Sequence, residues 1–205
     1  MESKKYHEDL LHIRSMMERS SKFISLSGLS GAFAGVVALW GAAYAYFLFE
    51  KNGIDYLDGR RNIYSPEIVD QLLVVAILVL LFAIVGGYFF TRNKSKKQGK
   101  KMWDATSKRL LINFAAPLAT GGIVCLALLY HHLFPLIAPA TLIFYGLALV
   151  NAGNFTFTDV KFLGYLEIIL GIISLFFLGW GLITWAIGFG VLHIIYGIIM
   201  HKKYK

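Results

Sequence analysis

Six apolar stretches, at about 23–49, 69–90, 110–134, 136–152, 162–178 and 180–200, alternate with short polar segments along this chain. Most match or exceed the roughly 20 residues that cross about 30 Å of hydrocarbon as an α-helix; the fourth and fifth are shorter. Runs of this length read as helices, because in lipid every backbone amide must be paired within its own span or in a closed barrel. A barrel needs short alternating segments, and none is visible. The pattern therefore predicts an all-α fold, a polytopic transmembrane helix bundle of six spans. Its breaks fall at turn-forming residues: Pro135 and Pro139 after the third run, the polar stretch 151–161, and Gly179-Trp180-Gly181 before the last run.

Residues 1–22 mix charge with Leu10, Leu11, Ile13, Met16 and Met17, a spacing that predicts an amphipathic segment lying on the membrane or against a partner. No cleavable signal is expected in this charged start, so the first span should serve as its own insertion signal. Residues 23–201 form the expected membrane domain and 202–205 a basic tail. Composition agrees with the pattern, since 57% of the 205 residues are hydrophobic and only 16% charged. Six spans use about 120 residues, which leaves little for a soluble catalytic domain.

Charge orients the bundle. Seventeen of the Lys and Arg residues fall on alternate segments that share one side with both termini, and eight of them crowd the second loop, residues 92–109. The opposite side holds Lys51, Arg60 and Arg61. The positive-inside rule then puts the N- and C-termini on the cytoplasmic side, of a plasma membrane by expectation, with the basic loop 92–109 against anionic lipid. Topology thus accounts for the net charge of +8, and nucleic acid is not an expected partner.

Small residues line the first span. Ser27, Gly31 and Gly35 recur four apart, which lets a second helix approach closely, either within the chain or from a homodimer or another membrane protein. An offset of 86 lays Gly35 on Gly121 and Tyr44 on Tyr130, matches too few to establish a duplicated unit.

The chemistry centres on Glu167, the one acidic residue well inside an expected span. A carboxylate there costs about 3 kcal/mol or more to insert, so it should face the bundle interior, water or a partner. A hairpin turning at residues 179–181 brings Glu167 level with His193. Asn113, Asn151 and Tyr196 fall in the same inner half, and together the five form the candidate site for a proton, a cation or a small polar solute. A carboxyl group beside an imidazole is suited to proton exchange near neutral pH, although the same pair serves equally as polar glue between helices. His131 and His132 diverge by about 100° on a helix and lie far from the depth of His193, which argues against a shared metal or a haem.

The single Cys125 excludes intrachain disulfides and paired-Cys metal sites. Phosphate-cradling loops, His-Glu-x-x-His and G-x-S-x-G are missing, so no catalytic residue, cofactor or metal is expected and the chain is not read as an enzyme. Two functions follow from the sequence: a small transporter or channel-like protein using the inner-half cluster, or a non-catalytic membrane partner or sensor subunit acting through helix packing.

Overall fold

A computed structural model describes residues 27–57, 64–99 and 102–204. The expected amphipathic segment, residues 1–22, lies outside the described residues. The described chain is all-helical, with no strand among its residues. Six helices follow in order: α1 (Gly28–Lys51), α2 (Pro66–Lys97), α3 (Ala105–Tyr130), α4 (Ile137–Ala152), α5 (Thr158–Phe176) and α6. The last is composite, running as α-helix over Gly181–Trp185, as π-helix over Ala186–Leu192 and as α-helix again over His193–Lys203.

Helix ends follow local chemistry more than hydrophobicity. The second apolar run ends near residue 90, yet α2 continues to Lys97 because Arg and Lys are good helix formers and favour the C-terminal end of the dipole. α3 begins five residues before its expected apolar run, at a capping box in which Asp104 accepts from the Ser107 amide (2.6 Å) and Ser107 accepts from the Asp104 amide (2.8 Å). It ends at His131, after which His132 takes a left-handed φ of 57° and the chain turns into Pro135. The break expected at 179–181 is a single 3-10 turn, Leu178–Trp180.

Five segments are long and apolar enough to cross a membrane: Gly28–Lys51, Pro66–Lys97, Ala105–Tyr130, Phe134–Ala152 and Leu178–Lys203. The remaining long helix, α5, spends Asp159, Lys161 and Glu167 within its 19 residues. Large apolar side chains cover the outside of the bundle, with Trp40, Ile84, Val85, Ile112 and Ile123 all exposed. Apolar surface of that extent calls for lipid. This chain is an integral, multi-pass membrane protein.

The inner pairs are α1 with α6 and α4 with α5, and α5 meets α6 between them; α2 leans mainly on α1 and α3 mainly on α4. Small residues set the inner contacts. The Gly31 and Gly35 face of α1 packs on Gly190, His193, Ile194 and Gly197 of α6, so the stripe seen in the sequence is filled from within the chain. Gly146 of α4 packs as closely on Gly164 and Ile168 of α5. Gly146→Val is therefore expected to destabilise the detergent-solubilised protein by about 2 kcal/mol through overpacking. Gly122→Val, where the added carbons meet open space, should leave the thermal midpoint nearly unchanged.

Apolar clusters close the two ends. Leu149, Phe157, Val160, Leu163 and Met200 gather where α4 ends and α5 begins, while Leu48, Phe49 and Ile68 gather at the opposite end, beside Leu182. The first end is tied further by Lys203 Nζ to Asp159 (3.0 Å), by the Tyr204 hydroxyl donating to Asp159 Oδ2 (2.6 Å) and by Lys94 Nζ donating to the Tyr204 carbonyl (2.7 Å).

Candidate functional site

Glu167 sits midway along α5 on its inward face and is wholly buried. His193, 5% exposed, opens the final α-helical part of α6. Their approach is 3.4 Å, from His193 Nδ1 to Glu167 Oε1. This is charge contact rather than a good hydrogen bond. Nδ1 also stands 2.9 Å from the Gly188 carbonyl oxygen, and Nε2 stands 2.8 Å from the Tyr145 hydroxyl on α4.

These partners fix the imidazole. A carbonyl only accepts, so Nδ1 carries a proton and donates it to Gly188; in the neutral ring Nε2 then accepts from Tyr145. Three helices thereby hold one side chain. The π-helical stretch supplies the reach, since its wider turn presents the Gly188 carbonyl to the ring of the residue five positions later.

Glu167 is left without a donor. Neither carboxyl oxygen has a hydrogen-bond partner, although both are buried. Gly188 lies against it so closely that a Cβ there would meet Oε2, and Leu142, also wholly buried, packs on the same glycine. A carboxyl group so placed needs a proton, a cation or a ligand's donor. Farther along the same face of α5, one to two turns toward its C-terminal end, Ser174 Oγ is likewise buried and unpartnered.

Compared with protein families, characterised proteins and solved structures, the chain matches none. Its chemistry rests on its own side chains.

Of the five residues singled out from the sequence, the structure brings Glu167 and His193 together and sets the other three apart. Asn113 gives its amide to the Arg109 carbonyl one turn back on α3 (2.8 Å). Asn151 is exposed at the end of α4, and Tyr196 packs on the apolar cluster at the Met200 end. Two members of the site were missed. Tyr145 is the only tyrosine of the fourth run, and a hydroxyl in mid-span is itself a signal for a partner. Gly188 contributes only backbone, which side-chain chemistry could not reveal. No three His, Cys, Asp or Glu side chains gather as a metal site among the described residues.

Proposed function

We propose that this protein is a six-span membrane transporter of a plasma membrane, with both termini cytoplasmic, and that the ion it moves or couples to is the proton. The observation that carries this reading is Glu167: a fully buried carboxyl group with no hydrogen-bond donor, 3.4 Å from an imidazole whose other nitrogen is already engaged. Such a pair has one place for an exchangeable proton, on Glu167 Oε1 or Oε2, and one neighbour whose charge state responds to it. Ground-state packing around the pair leaves room for a proton rather than for a large solute. Tyr145 and the Gly188 carbonyl orient the imidazole.

Sealed vesicles containing the purified protein test the reading by dye-reported proton flux under an imposed pH gradient. The wild type is expected to pass protons, with or without a co-solute, and Glu167→Gln is expected to abolish that flux while remaining folded. A wild type that moves no protons under any gradient overturns the reading and favours a membrane partner without transport. For orientation, single cysteines placed in the 52–65 and 94–101 loops of a Cys125→Ser protein should react with an impermeant thiol reagent from opposite faces. Reaction from one face rules out the six-span arrangement. In that arrangement Arg92, Lys96, Lys97, Lys108 and Arg109 meet anionic headgroups.

A further inference from the structure

Glu167 and His193 occupy the same position of a repeated octapeptide. Residues 164–171 read Gly-Tyr-Leu-Glu-Ile-Ile-Leu-Gly and residues 190–197 read Gly-Val-Leu-His-Ile-Ile-Tyr-Gly, identical at five of eight positions. Packing repeats with the sequence. A methyl group on Gly146 would lie 2.6 Å from the Gly164 carbonyl oxygen, 2.7 Å from Ile168 Cγ1 and 2.9 Å from Ile168 N. On Gly35 it would lie 2.6 Å from the Gly190 carbonyl oxygen, 2.7 Å from Ile194 Cγ1 and 2.9 Å from Ile194 N.

The outer helices follow the same rule. Phe144 and Phe33, each two residues before those glycines, fill the notch left by Gly121 on α3 and by Gly86 on α2. The glycine after each notch, Gly122 or Gly87, faces open space. One unit is thus α4 with α3 and α5; the other is α1 with α2 and α6. α5 and α6 are consecutive, joined by one short turn, and run in opposite directions, yet they carry equivalent positions. Superposing one unit on the other therefore needs a rotation about an axis across the helices. A residue that touches its own counterpart, as Glu167 touches His193, must sit beside that axis.

The units are equivalent in contacts but not in shape. α5 is α-helical throughout, whereas the matching helix α6 is π-helical over Ala186–Leu192, up to the residue before His193. The difference falls where the sequences part: the π-helical residues 186–192 share only Gly190 and Leu192 with their counterparts, residues 160–166, whereas the part alike from His193 onward is α-helical in both. Inverted units that meet at a polar site near mid-span are an arrangement through which alternating access works, by rocking of one unit against the other.

We infer that the chain is built of two inverted three-helix units, and that movement of one unit against the other opens the Glu167–His193 pair to one membrane face and then to the other. This rests on the reading of the pair as a transport site. The described state is the closed one, with an apolar cluster beyond the pair at each end.

Ser174 and Met200 test it, because each lies seven residues beyond its member of the pair, is buried, and points toward the opposite end of the bundle. In a Cys125→Ser background, Ser174→Cys and Met200→Cys are reacted with an impermeant thiol reagent from each face, across a pH series and with Glu167→Gln. Reciprocal reactivity is expected, the condition that raises one rate about tenfold lowering the other. Rates that rise together, or that never change, overturn the inference. A second readout needs no added cysteine. Each of Glu167→His and His193→Glu should lower the thermal midpoint, and the double exchange should restore most of the loss; an exchange no better than the worse single variant overturns the equivalence. Reciprocal labelling without proton flux would remove the transport reading and leave the two-unit device, while flux without reciprocity would do the reverse.

Discussion

Gly188→Val is expected to leave little folded protein in the membrane. A Cβ at this position falls on Glu167 Oε2 and 2.6 Å from Leu142 Cδ2, and both neighbours are fully buried with nowhere to retreat. Overpacking of a filled core costs about 1–3 kcal/mol. Here the displaced atoms include a carboxyl group, whose movement would disturb the His193 contact as well. The measurement is the yield of monodisperse protein in mild detergent together with its thermal midpoint. A Gly188→Val protein as stable as the wild type would mean that the π-helical stretch does not press on Glu167.

His193→Ala should be the most damaging change among the polar side chains of the site. It removes a side-chain partner of the Gly188 carbonyl, the partner of the Tyr145 hydroxyl and the imidazole beside Glu167 in one step. Orphaned buried polar groups cost about 1–3 kcal/mol each, so a loss of roughly 3 kcal/mol or more is expected, seen as a large fall in thermal midpoint. Tyr145→Phe, which deletes a single hydrogen bond, should cost about 1 kcal/mol. Glu167→Gln is expected to be neutral or mildly stabilising, because the amide keeps the shape of the carboxyl group and carries no charge to bury. That separation of stability from function makes Glu167→Gln the informative variant: it should stay folded and lose proton movement. Equal losses of stability for His193→Ala and Glu167→Gln would instead mark the pair as packing alone.

Helices were legible in the sequence because length and apolarity leave lipid-embedded backbone little choice. So was the common depth of Glu167 and His193, since one short turn at Gly179 fixes the depth of two consecutive antiparallel helices; their contact was not. Depth does not fix helical phase, and Asn113 turns to its own helix backbone, while Asn151 falls at the end of α4, beyond the level of the pair. Tyr196 lies one turn from His193 but turns into apolar packing. The tyrosine that holds His193 comes from 48 residues earlier in the chain, a contact that only tertiary structure reveals. The π-helical stretch has no mark in the sequence, because residues 186–192 are all apolar or glycine and show no period that tells one helix form from another. An offset of 86 sets the first span against the third, yet the contacts match Gly35 with Gly146 and Gly121 with Gly86. The repeat is inverted and out of chain order, so a search along one offset passes over it, although the two octapeptides stand only 26 residues apart.

The central claim is that Glu167 holds an exchangeable proton beside His193. Infrared difference spectroscopy on the protein in lipid, stepped in pH and repeated in D2O, tests it most directly. A carboxyl C=O band that appears and disappears with pH, shifts in D2O and is missing in Glu167→Gln is the expected result. A wild type whose only pH-dependent carboxyl bands persist unchanged in Glu167→Gln would contradict it.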